Sequence, residues 1–353
     1  MRGALWLRVA AGLLVAVVSS GTGAPSAAAA AEGSRDRTWF DLGIAPRQQW
    51  DANFGYCGET SLISAGMSFG QYTSQWTARS LATDGVPQTS RSSQLLLGVN
   101  DLAAAAAMRL RAVAYEGGPQ DSTRAYLGWV ESKVMDGYPV IIGMYMNMSG
   151  QSGSPSSGDD EYDHIVPVLG VRTGDGTGAR RAYRPTDLLA FSDNSSPDAR
   201  AVHRLPIGTL LRTRQQANDP AAPDYSIRSR PRNYATAILG VMDPDRITLP
   251  VRLTSDLAVE GSDGGVDRMA DPPAPVPINI TATVLIADQS RAYRVYAYDD
   301  FAKVPVKDFN EHAADATASW TIPAHSGPTW STTVPITSDQ TLVFRAVPAD
   351  GLR

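Results

Sequence analysis

Helix-type and strand-type patterns are segregated along this chain, and that segregation most constrains its fold. Periodicity near 3.6 residues fills residues 57–135, whereas short apolar or alternating runs fill the chain after Pro139. Residues 57–69 set Leu62, Ile63 and Met67 at helical spacing behind the polar first turn Glu59, Thr60 and Ser61. Residues 71–82 predict a second helix, and residues 94–110, with their alanine run, a thin and closely packable third. Residues 122–135 predict a fourth, with Tyr126, Trp129, Val130 and Val134 on one face and Asp136-Gly137 as its stop. Residues 140–146, 164–171, 187–192 and 234–242 then read as strands. Helices first and an antiparallel sheet afterwards predict an α+β fold.

Two composition shifts divide the chain. Residues 1–31 read as a secretory signal peptide: Arg2 and Arg8 supply charge, Leu13 to Val18 lie in an apolar stretch, and small residues stand at Ala27 to Ala31. That stretch is short for a membrane anchor and is broken by Ser19, Ser20, Gly21 and Gly23, and no later segment is apolar for the ~20 residues that a spanning helix needs. The expected location is therefore extracellular. Residues 32–250 are expected as one domain, 251–277 as a Pro/Gly-rich linker containing PPAPVP, and 278–353 as a small β-sandwich built from runs at 278–286, 293–298, 318–322, 332–336 and 341–347.

Composition excludes several classes. With 43% hydrophobic and 19% charged residues the chain can bury a sizeable core, and with one cysteine it must, since no internal disulfide can form. A net charge of −5 and the absence of a basic run outside the leader argue against a nucleic-acid partner. No pair of histidines has metal-ligand spacing, the acidic run 159–163 lacks the Gly and closing Glu of a calcium loop, and residues 174–178 lack the Lys of a phosphate loop. No cofactor and no metal are expected.

The single cysteine, Cys57, is a buried small hydrophobe, half of an intermolecular bridge, or a reactive thiol. It falls at the expected start of the first helix, where the helix dipole and unpaired amides favour a thiolate. Of the four histidines, His203 lies in an Arg-flanked polar segment, and His312 and His325 lie in the second unit. His164 opens an apolar strand directly after the acidic loop. Asp193-Asn194 ends the next strand, from which either side chain can orient the imidazole. Cys57, His164 and Asp193 or Asn194 thus stand at element boundaries in the order nucleophile, base, orienter.

On residues 48–59 (QQWDANFGYCGE), 163–170 (DHIVPVLG) and 190–194 (AFSDN), the chain resembles the papain-like cysteine peptidases, closest to the bacteriocin-leader-processing branch. The resemblance spans roughly residues 48–242 and implies that residues 32–250 form a papain-like domain. It also implies a side-chain amide upstream of Cys57 as oxyanion donor. Asp51 stands six residues before Cys57, where the family places its Gln, leaving Gln49 at eight and Asn53 at four as the two candidates. Asp193 matches the bacteriocin-processing branch as orienter and Asn194 the papain type.

The expected activity is hydrolysis of an amide bond in a peptide or protein substrate, cell-surface ones included, by a secreted thiol hydrolase with residues 149–160 as a flap over the cleft. Acyl transfer or amidase chemistry on the same site, and a non-catalytic binding protein on this fold, are the alternatives.

Overall fold

The structure, a computed structural model, describes residues 38–117, 122–146, 162–174, 183–195, 202–212, 225–228, 232–257 and 268–350. The expected leader and flap lie outside the described residues, as do most of the acidic run 159–163 and the turn 174–178. Asp36–Arg353 form one compact unit.

The first half runs β1 (Thr38–Asp41), α1 (Cys57–Met67), β2 (Gln71–Tyr72), α2 (Gln75–Ala82), α3 (Asp101–Ala107), β3 (Leu110–Ala114) and α4 (Thr123–Met135). The sheet strands follow as β4 (Val140–Met146), β5 (His164–Thr173), β6 (Leu188–Ser192), β7 (Val202–Pro206), β8 (Leu211–Arg212), β9 (Tyr225–Arg228) and β10 (Ala235–Val241). The chain ends with β11 (Val251–Ser255), β12 (Pro277–Leu285), β13 (Tyr293–Tyr298), β14 (Ala318–Ile322), β15 (Thr329–Thr337) and β16 (Leu342–Pro348). The fold is α+β.

A nine-stranded sheet orders β3-β10-β4-β5-β6-β7, with β1 on β5 and β9 on β4. Its pairings are antiparallel except that of β8 with β9. Side chains alternate across this sheet as strand geometry requires. Val140, Ile142, Val166 and Val168 pack with Tyr126, Leu127, Val130 and Val134 of α4 on one side. Ile141, Ile165 and Ile238 pack on the other with Leu62 and Ala65 of α1 and Ala104 and Ala105 of α3.

Two smaller sheets, β11-β12-β15 and β14-β13-β16-β2, share a core to which Val251, Leu253, Ile280 and Val284 contribute from one sheet and Val295, Ala297, Phe344 and Tyr72 from the other. Helix α1 belongs to both regions: Leu62 and Ala65 enter the core against the large sheet, and Ile63 and Met67 the core of the small sheets. Residues 58–67 of α1 are consequently all buried.

The structure differs from the sequence expectation at several elements. The segment 71–82 divides into β2, which pairs with β16 through Leu342↔Tyr72 and Val343↔Gln71, and the shorter α2, whose N-cap Ser74 accepts from Thr77 N at 3.0 Å. The segment 94–110 is helical only over Asp101–Ala107; Arg109 at φ 58° turns the chain into β3, which pairs with β10. The stretch 251–277 is not linker throughout, because β11 at its start is the edge of the three-stranded sheet.

Candidate functional site

Cys57 is the first residue of α1, half-buried, behind a turn in which Asn53, Phe54 and Gly55 have φ of 50°, 68° and 82°. Three consecutive left-handed residues, two of them not glycine, are costly unless the surroundings hold them. His164 is the first residue of β5 and Asp193 follows the last residue of β6, so pairing of these neighbouring strands brings the two side chains together. The His164 ring is 2% exposed and its Nε2 lies 3.1 Å from Asp193 Oδ1. Cys57 stands beside the same ring, close enough for its sulfur to raise the His164 pKa.

Burial alone depresses the His164 pKa, but the hydrogen bonds and negative charge of Asp193 and Cys57 overcome it and raise the value to about 9. The site therefore favours an imidazolium between a sulfur and a carboxylate at neutral pH. Asp193 is held by its own turn, its Oδ1 also accepting from Ser195 N at 3.0 Å and Ser195 Oγ at 2.7 Å. Tyr162 stands beside Cys57 with its hydroxyl donating to Leu97 O at 2.9 Å; burial, then the charge of Cys57, pushes its pKa up.

The two residues expected as alternative orienters have separate positions. Asp193 meets the ring, whereas Asn194 is fully buried and its Nδ2 donates to Cys57 O at 3.1 Å, Ser61 Oγ at 3.1 Å and Ile165 O at 3.0 Å. Asn194 thus fastens the first turn of α1 to the start of β5, and does not address the imidazole.

The two candidate amides also separate. Asn53 is fully buried and committed elsewhere: Nδ2 donates to Ala270 O at 2.9 Å and Tyr56 Oη at 3.3 Å, and Oδ1 accepts from Ala270 N at 2.9 Å. Its expected role as an oxyanion donor is corrected accordingly, because both ends of the amide are occupied. Gln49 lies between the orienting turn and α1, its N donating to Asn194 O at 2.7 Å and its Oε1 accepting from Tyr56 N at 2.9 Å. Its Oε1 is thereby turned to the residue before Cys57.

Ser61, Ser195 and Tyr162 were not singled out from the sequence. Ser195 carries a local signal, since a Ser two residues after Asp is a common turn partner. Ser61 and Tyr162 carry none that is visible without the packing. No protein-family model, no curated protein and no solved structure matches this chain.

Proposed function

We propose that this protein is a thiol hydrolase of papain-like type, acting on an amide bond of a peptide or protein outside the cell. The observation that carries the reading is a buried His164 whose Nε2 lies 3.1 Å from the Asp193 carboxylate and whose ring stands beside Cys57 at the start of α1. The sulfur attacks the substrate carbonyl carbon, and the negative charge that develops on the carbonyl oxygen is taken up by Gln49 Nε2 and the amides at the start of α1. Imidazolium His164 then donates its proton to the leaving nitrogen, the C–N bond breaks, and an acyl-thioester forms on Cys57. Neutral His164 next removes a proton from water, which attacks the thioester and releases the acid with the thiolate restored. Asp193 holds the ring in position throughout.

The leader-like first 31 residues support an extracellular location, and among the described residues no helix is long and apolar enough to cross a membrane. The paired small sheets support the reading of the C-terminal part as a β-sandwich. Cys57→Ala, assayed on a broad peptide panel, is expected to lower hydrolysis by at least ~10³-fold with an unchanged circular-dichroism spectrum. Hydrolysis retained in a folded Cys57→Ala protein would overturn the reading.

A further inference from the structure

We infer that Arg79 and Glu59, buried behind the candidate site, form a clamp that sets the position of the oxyanion donor Gln49; the inference rests on the hydrolase reading above. Arg79 is 0% exposed and Glu59 1%, with Arg79 Nε 2.6 Å from Glu59 Oε1. The guanidinium turns most of its remaining donors to the strained turn. Nη1 donates to Asn53 O at 2.7 Å and to Gln88 O at 3.4 Å, Nη2 donates to Gly55 O, and Cζ lies 3.5 Å from the ring centre of Tyr56. Glu59 Oε1 also accepts from Leu95 N at 3.0 Å, which ties the clamp to the segment alongside α1.

One side chain thus grips Asn53, Gly55, Tyr56 and Glu59, on both sides of Cys57. The mechanical path to the chemistry is short, because Tyr56, held under the guanidinium, offers its N–H to Gln49 Oε1. A planar fork can satisfy this arrangement and an ammonium cannot, since Lys has neither the second nitrogen nor the face that covers Tyr56. A buried ion pair gives little net stability against a well-packed apolar pair, so stability alone does not account for this one. Holding three left-handed residues in a single conformation does, because displacement of a donor by about 1 Å costs roughly a hundredfold in rate. Arg79 and Glu59 are positioning residues, and neither touches substrate.

The test is a double-mutant cycle on the full chain, with kcat and KM measured for Arg79→Lys, Gln49→Ala and the double variant on the best peptide of the panel. Arg79→Lys is expected to lower kcat roughly a hundredfold with KM nearly unchanged. In the Gln49→Ala background it should add less than about threefold, because the group that it positions is gone. Glu59→Gln, which keeps an oxygen for Arg79 Nε and Leu95 N, carries the same cycle if Arg79→Lys does not fold. Losses that multiply in a folded protein overturn the clamp and leave the hydrolase reading intact. A wild-type protein that hydrolyses no peptide of the panel overturns both.

Discussion

His164 concentrates the electrostatics of the site in one ring. Its folded-state pKa of about 9 lies above the ordinary 6.5, so the stability that comes from its protonated form is complete below about 6.5 and is lost as pH rises through about 9. On the proposed hydrolase reading, hydrolysis should fall on the alkaline side with a midpoint near 9, measured as kcat/KM against pH. Asp193→Asn keeps an oxygen for Nε2 but removes the carboxylate charge. This variant should move the alkaline midpoint to lower pH and reduce kcat by ~10²–10⁴-fold. An unmoved midpoint would assign the raised pKa to another cause. The residues that could be read from the sequence were those at element boundaries, namely Cys57, His164 and Asp193, because a strand end or helix start is a local pattern. Asn53 was not readable in this way. The partner that occupies its amide, Ala270, is more than two hundred residues downstream, and no local spacing reveals it.

Helix α1 is the element on which the site depends, and its second residue shows how tightly it is packed. A Cβ built on Gly58 would stand 2.2 Å from Leu95 O and 3.2 Å from Ile165 Cδ1, so the backbone approaches that carbonyl more closely than any side chain allows. Gly58→Ala should therefore destabilise the fold by ~1–3 kcal/mol in denaturant unfolding and also impair hydrolysis, since the shift falls next to Cys57. Wild-type stability in this variant would show that α1 has room to move. Helices α1 and α4 could be read from their periodicity, and the Ser122 cap of α4, whose Oγ accepts from Ala125 N at 3.2 Å, is a local signal of the expected kind. Strand β3 was hidden by the alanine run before it. What separates the two is Arg109 at φ 58°, a conformation that the residue type does not announce. At the other end, Gly98 at φ 76° lies under the Tyr234 ring, 2.5 Å from where its Cβ would be, and marks a turn inside a segment that reads as helix.

At the scale of the molecule, the C-terminal strands support the helical half directly. Strand β16 pairs with β2, and Tyr296, Tyr298, Phe301, Val343 and Val347 share a core with Leu62, Leu95 and Ile165. The described part of the chain should accordingly unfold in one calorimetric transition. A chain truncated before residue 268 should lose cooperative unfolding, because it exposes Ile63 and Met67 and removes the backbone partner of Asn53. Two separated transitions would contradict this. The proline-rich run at 272–277 lies between β11 and β12, which pair in one sheet, and its composition gives no sign of the shared core, which only long-range packing creates. The central claim is that His164 activates Cys57, and alkylation of the single thiol tests it most directly. Iodoacetamide labelling at neutral pH, followed by intact-protein mass spectrometry, should modify wild-type Cys57 at least ~10-fold faster than an unstructured cysteine peptide, with the excess lost in His164→Ala. Equal labelling of the wild type, His164→Ala and the peptide would contradict the account.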